Sequence, residues 1–235
     1  MMIEHLELSI LPEPQLLLWE ELAITPGKFV LYGGTAIALQ LGHRESVDFD
    51  FFTDQTFDPQ SLYDEIPYLS GSEIRDLSQN TLTCLVRRGD GHVQCSFFGG
   101  LSMQVVAPPN IAPNGVKLAS LLDLLASKCS TVQKRAEWKD YTDIAAILEQ
   151  TDISLKDGVG AARAAYGEKF NVMASLKALI YTKDLKPQLL PKQEKIIREQ
   201  VMEVDLAGYS EFQALGPIGS VTPRHCGSGN SGSAP

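Results

Sequence analysis

Apolar positions along the chain fall into two regimes. Through about residue 107 they come as short runs and alternations broken by Gly, Pro and Asp; from about residue 116 they recur at helical spacing. Residues 14–23, rich in Leu with Trp19, suit a helix packed on a sheet. Residues 29–32 read FVLY, a β-prone run that stops at Gly33-Gly34, and a helix-like segment follows over 35–41. Val47, Phe49 and Phe51 then alternate with Asp48 and Asp50. That alternation predicts a strand with one face in the core and the acids on the other. A helix is expected over 59–66, with Pro59 in its first turn. Strands are expected at 73–77, 81–88 and 92–98, the last two as a hairpin, and a shorter one at 102–107. Pro108, Pro109, Pro113 and Gly115 predict a loop joining two halves. Helices are expected at 116–135, 138–149, 154–166, 172–181 and 192–206.

The fold class is therefore α+β: a mixed sheet with flanking helices, then a mainly helical half. The expected division is an α/β core over 1–112, a helical region over 113–222 and a tail over 223–235. The tail ends CGSGNSGSAP and is expected to be flexible.

Composition narrows the class without naming it. With 44% hydrophobic and 21% charged residues, the chain reads as an ordinary globular protein. No run approaches the roughly eighteen apolar residues of a membrane helix. Glu4, His5 and Glu7 interrupt any secretory leader, so a cytoplasmic location and no membrane partner are expected. A net charge of −9 opposes long-range attraction of nucleic acid. A polynucleotide substrate therefore requires a local basic patch. Lys128, Lys134, Arg135 and Lys139 form either that patch or a solvated helical face. The four cysteines make no CxxC pair and His is scarce, which argues against structural zinc. Cys84 and Cys95 face each other if the hairpin turn is Gly89-Asp90, and do not if it is Asp90-Gly91. Free thiols are expected in a reducing cytosol.

The chemistry concentrates between residues 29 and 52. A strand that stops at two glycines and opens a helix makes a phosphate cradle, because the backbone approaches closely and the helix start offers unpaired N–H groups. Asp48 and Asp50 point to one side and suit a hard divalent cation. A phosphate cradle beside two carboxylates suggests chemistry on a nucleoside triphosphate.

The segment FVLYGGTAIALQLGHRESVDFDFF resembles the signature of the AbiEii-type nucleotidyltransferases of the polymerase-beta-like superfamily. Gly33, Gly34, Arg44, Ser46, Asp48, Asp50 and Phe51 fit it. A second block, LLDLLASKCSTVQKRAEWKDYTDIAAIL, matches through Lys128, Arg135, Lys139, Asp140 and Asp143. The resemblance spans roughly residues 29–148. It implies a polymerase-beta-like nucleotidyltransferase sheet and a metal-dependent transfer of a nucleoside monophosphate from a nucleoside triphosphate to RNA or protein. It also implies the toxin of a bacterial toxin–antitoxin or phage-defence pair, with an antitoxin as partner.

In that frame Asp48 and Asp50 are the expected magnesium ligands and, with Lys128, the catalytic set. Gly33, Gly34 and Thr35 would cradle the β- and γ-phosphates, Thr35 alternatively capping the helix. Arg44 either holds a phosphate in a fork or pairs with Glu45 or Asp54 at the surface. Ser46 shares the face of the two aspartates. Lys128 interrupts an apolar helix and either snorkels outward or enters the cleft, and the resemblance favours the cleft and the triphosphate. Asp140 and Asp143 share a helix face and either position Lys128 or Arg135 or start the helix with favourable charge, the latter preferred for Asp140. Lys139 is supporting. One departure stands out. Many relatives carry a third carboxylate on a later strand, whereas the strand expected at 92–98 has no acid and Ser96 takes that place. The rival reading is a catalytically weak nucleotide-binding module acting through protein partners.

Overall fold

The computed structural model describes residues 3, 5–206 and 208–222. A helix α1 (Glu13–Trp19), with Pro14 in its first turn, continues as a 3-10 segment Glu20–Ile24. Strand β1 (Val30–Tyr32) runs into α2 (Gly33–Leu41), which Gly42 ends in a left-handed conformation, its N–H reaching Ala38 O. Strand β2 (Asp48–Phe52) follows, then α3 (Pro59–Glu65), capped by the Asp58 carboxylate on the Ser61 N–H. A meander of β3 (Glu73–Ser78), β4 (Thr81–Arg88) and β5 (Gly91–Phe98) completes the first run of strands.

Four short strands come next in the chain: β6 (Gln104–Val105), β7 (Asn110–Ile111), β8 (Lys117–Leu118) and, far later, β9 (Gly216–Pro217). The helices between them are α4 (Leu121–Thr131), α5 (Trp138–Gln150), α6 (Leu155–Tyr166), α7 (Val172–Ile180) and α8 (Pro191–Glu203). Ser120 caps α4, Asn171 caps α7, and Ser154 with Asp157 form a reciprocal capping box on α6.

The main sheet has seven strands in the order β3-β4-β5-β2-β1-β8-β7. It is mixed: β2–β5 and β1–β8 are parallel, the other pairs antiparallel. One face is dry. Phe49, Phe51, Cys95 and Phe97 point into it, with Phe51 and Phe97 stacked at 5.2 Å and Trp19 of α1 6.3 Å from Phe49. The other face carries Asp48, Asp50 and Phe52 on β2 beside Gln94, Ser96 and Phe98 on β5. One continuous apolar core runs from Leu6 to Ile218 through sheet and helices alike.

Several expectations change. The strand begins at Asp48, and Val47 is half exposed rather than in the core. The expected strand at 102–107 shrinks to Gln104–Val105 and pairs with Gly216–Pro217, apart from the main sheet. Residues 108–115 are not wholly loop, since β7 lies there and forms a hairpin with β8. The helix expected from residue 116 starts at Leu121 and ends at Thr131, because Leu118 pairs with Leu31 of β1 and Ser120 offers the cap. The first helix stops being α-helical at Trp19, ahead of Pro26. The hairpin turn is Gly89-Asp90, so Cys84 and Cys95 are directly opposed, and both are buried free thiols. The tail 223–235 lies outside the described residues.

Candidate active site

The polar face of the sheet opens into a cleft of about 720 Å³ between β2, the start of α2 and the α4–α5 segment. Two glycines shape its edge. Gly33 has φ +75, and a Cβ there would lie 2.7 Å from Asp50 Oδ2. A Cβ at Gly34 would collide with the Arg44 guanidinium. Only glycine lets both side chains reach the start of α2, where backbone N–H groups lack helical partners.

Asp48 and Asp50 both line the cleft. Burial pushes the Asp50 carboxyl up to about 6, and the neighbouring charge of Asp48 adds to this. Lys128, Arg135 and a hydrogen bond with Ser96 pull the other way. Burial also raises Asp48, opposed by Lys139. The pair is thus under electrostatic strain that positive charge relieves. Among the described residues no group of three or more His, Cys, Asp or Glu side chains gathers to hold a metal.

Behind the carboxylates lies a charge network in which Asp140 and Asp143 hold Lys128 and Arg135, one of the two expected roles, and in which Arg44 and His43 join unexpectedly. Lys128 is 8% exposed, with its ammonium 2.7 Å from Asp140 Oδ1 and 2.7 Å from Asp143 Oδ2. Arg44 grips Asp143 at two points, Nε to Oδ1 at 2.7 Å and Nη2 to Oδ2 at 3.0 Å. His43 Nε2 lies 2.7 Å from the same Oδ1. Arg135 donates to Asp140 Oδ2 at 3.1 Å and pairs with Glu137. Burial alone would raise the Asp143 carboxyl, but His43, Lys128 and Arg44 outweigh it and hold it well below the usual carboxylate range.

The expected residues therefore fall into distinct places. Gly33, Gly34, Arg44, Ser46, Asp48, Asp50, Lys128, Arg135, Lys139 and Asp140 all line the cleft. Arg44 pairs with neither the side chain of Glu45 nor Asp54; its partner is Asp143. Lys128 does enter the cleft, tethered by two aspartates. Asp140 holds Lys128 and Arg135 as well as sitting in the first turn of α5, so the preference for a purely helix-starting role does not stand. Asp143 is fully buried behind the cleft. Thr35 is buried too, and it does not cap α2. Its hydroxyl donates to the Asp48 carbonyl at 2.5 Å and hydrogen-bonds Ser46 Oγ at 2.8 Å, tying helix to strand.

Lys134, Arg135 and Lys139 are exposed to solvent and, with buried Lys128, border the cleft. On β5, Gln94 and Ser96 stand beside Asp48 and Asp50, and no acid occurs there. The residue missed outright is His43. No spacing in the sequence links it to position 143.

A family model described as nucleotidyl transferase AbiEii toxin, Type IV TA system, matches residues 17–215. The Aquifex aeolicus protein aq_aa25 is 29% identical over 163 residues, spanning 68% of this chain and 77% of that one. Among solved structures, the nucleotidyltransferase toxin MenT4 from Mycobacterium tuberculosis superposes with a TM-score of 0.53 at 16% identity, covering 81% of each chain. A putative nucleotidyltransferase from H. pylori gives 0.51 at 14% identity, covering 81% of this chain and 93% of its own. At such identities the likeness speaks for the fold, a nucleotidyltransferase-like mixed sheet with flanking helices. With the family model spanning most of its length, the chain belongs to the AbiEii nucleotidyltransferase toxin family.

Proposed function

We propose that this protein transfers a nucleoside monophosphate from a nucleoside triphosphate to a hydroxyl of RNA or protein. The observation that carries this is the strained carboxylate pair Asp48 and Asp50 beside the glycine-opened start of α2. Two carboxylates, with no third His, Cys, Asp or Glu beside them among the described residues, suit magnesium, which keeps waters and takes phosphate oxygens. When bound, the metal would neutralise charge on the triphosphate. Asp48 and Asp50 would hold it.

The chain's own residues supply the rest. The N–H groups at Gly33 and Gly34 take phosphate oxygens at the positive end of α2. Lys128, fixed by Asp140 and Asp143, presents its ammonium to the cleft at one place, so little entropy is lost on binding. Arg135 and Lys139 add positive potential where charge builds as pyrophosphate leaves. The acceptor hydroxyl would attack the α-phosphate, opposite the departing pyrophosphate.

The wider reading is the toxin of a bacterial toxin–antitoxin pair, working in the cytoplasm and restrained by an antitoxin protein. No helix among the described residues is long and apolar enough to cross a membrane.

One observation favours a second reading. With Gln94 and Ser96 where an acid would activate the acceptor, the chain would bind nucleotide and turn over weakly, acting through protein partners. The test is transfer of label from four α-labelled nucleoside triphosphates to total bacterial RNA or protein, with the Asp48→Ala/Asp50→Ala double variant alongside. Label entering one acceptor class and vanishing in the variant supports transfer. Magnesium-dependent triphosphate binding without label supports the second reading.

A further inference from the structure

The polar face of the sheet changes character along its strands. On β2 the cleft-facing positions are Asp48, Asp50 and then Phe52; on β5 they are Gln94 and Phe98, with Ser96 buried between them on the same face. Phe52 and Phe98 are direct partners in the parallel ladder, and both are only partly buried. Phe52 stacks on buried Tyr32 at 5.0 Å with rings 7° apart, and meets Phe98 edge-on at 5.5 Å. The cleft that holds the carboxylates and the glycines thus ends on an aromatic floor. Two residues of strand separate Asp50 from Phe52, roughly 7 Å.

Apolar side chains on an otherwise charged cleft floor gain little by facing water. Every other aromatic on these two strands, Phe49, Phe51 and Phe97, is packed into the opposite, dry face. Tyr32, on the same face of neighbouring β1, stacks on one side of the Phe52 ring and fixes it, so the platform is rigid before any ligand arrives. Gly34 stands at the far end of the carboxylate pair, by Arg44 and Ser46, while Gly33 lies against Asp50. Phosphates drawn to that end leave the aromatic floor for whatever is attached to the reacting phosphorus through a sugar. Flat rings without charge are what such a floor accepts, and stacking tolerates any base.

We infer that Phe52 and Phe98 form a nucleobase-stacking subsite of the transfer site. The base belongs either to the donor triphosphate or to the terminal nucleotide of an RNA acceptor. This rests on the proposed nucleotidyl transfer and extends it. If the acceptor's base stacks there, the acceptor is RNA.

The test compares Phe98→Leu, which keeps an apolar side chain and removes the ring, with Phe98→Trp, which keeps a π face. Binding of inorganic tripolyphosphate, of the four nucleoside triphosphates and of a short oligoribonucleotide is measured with magnesium, and melting temperatures are recorded. If the donor's base stacks, the wild type binds its preferred triphosphate about tenfold or more tighter than tripolyphosphate, and Phe98→Leu erases that margin. If the acceptor's base stacks, triphosphate binding is unchanged and oligoribonucleotide binding falls about tenfold or more in Phe98→Leu. In either case Phe98→Trp retains binding. Equal binding of every probe by wild type and Phe98→Leu overturns the inference, as does loss in both variants together with a lowered melting temperature. A wild type that binds neither tripolyphosphate nor any nucleoside triphosphate instead sinks the proposed function itself.

Discussion

Arg44 and Asp143 lie 99 residues apart in the chain and meet in a two-point ion pair behind the cleft, at 2.7 and 3.0 Å. The same carboxylate accepts from His43 and pairs with Lys128. One buried anion thus anchors the loop after α2 to helices α4 and α5, and fixes two of the cations that border the site.

Removing that anion leaves positive groups buried without a partner. Asp143→Ala is expected to lose about 3–5 kcal/mol of stability. Urea unfolding at neutral pH checks this, and a loss below about 1 kcal/mol would show that the network does not hold the halves together. The folded Asp143 carboxyl is depressed, so its contribution is present above the unfolded value near 3.8 and is lost as pH falls below it. The gap between wild type and Asp143→Asn therefore narrows in acid.

Asp50 behaves in the opposite sense. Its folded value is raised from 3.8 to about 6, so its charge opposes folding. The penalty is absent below pH 3.8, grows through the window up to about 6 and is full above it. A shift of this size corresponds to roughly 3 kcal/mol at most. Asp50→Asn should therefore be more stable than the wild type at pH 7.5 without divalent cations, while losing transfer activity. A melting temperature lower than that of the wild type would contradict the electrostatic account.

Gly34 has a narrower job. A methyl group there would push the Arg44 guanidinium aside. Gly34→Ala is expected to raise KM for the triphosphate by about tenfold or more, since one misplaced charged group can cost that much in orientation. Stability should fall less than in Asp143→Ala. Steady-state kinetics with an unchanged KM would remove the cradle from the account.

Lys128→Met tests the tethered ammonium. It leaves Asp140 with Arg135 and Asp143 with Arg44, so the fold should survive while kcat/KM drops by two orders of magnitude or more, about 2.7 kcal/mol. Lys128→Arg is not expected to rescue, because a planar fork does not fit between two carboxylates placed for a point charge. Full activity in Lys128→Met would assign the residue to structure alone.

The parts legible in the sequence were those written in local periodicity. The alternation of Phe49 and Phe51 with Asp48 and Asp50 fixed both faces of β2, and the glycines marked the start of α2. Helices α5 to α8 also carried their own spacing, and α6 and α7 their side-chain caps. What stayed hidden was either too short for a period or purely long-range. Strands β7 and β8 hold two residues each, and Leu118 is a strand residue only because Leu31 lies beside it. Arg44 was visible as a cation, but its partner at position 143 and the company of His43 exist only once α2 and α5 pack together. The aromatic floor was half visible: Phe52 and Phe98 follow the alternation, yet only the parallel register sets them side by side.

The central claim is that the carboxylate pair and the glycine cradle direct attack to the α-phosphate. Its most direct test identifies the leaving group when the wild type and Asp48→Ala are incubated with magnesium, nucleoside triphosphates and bacterial RNA and protein. The account predicts pyrophosphate released in step with nucleotide incorporated by the wild type, and neither from the variant. Release of nucleoside diphosphate, or pyrophosphate formed equally by Asp48→Ala, would contradict it.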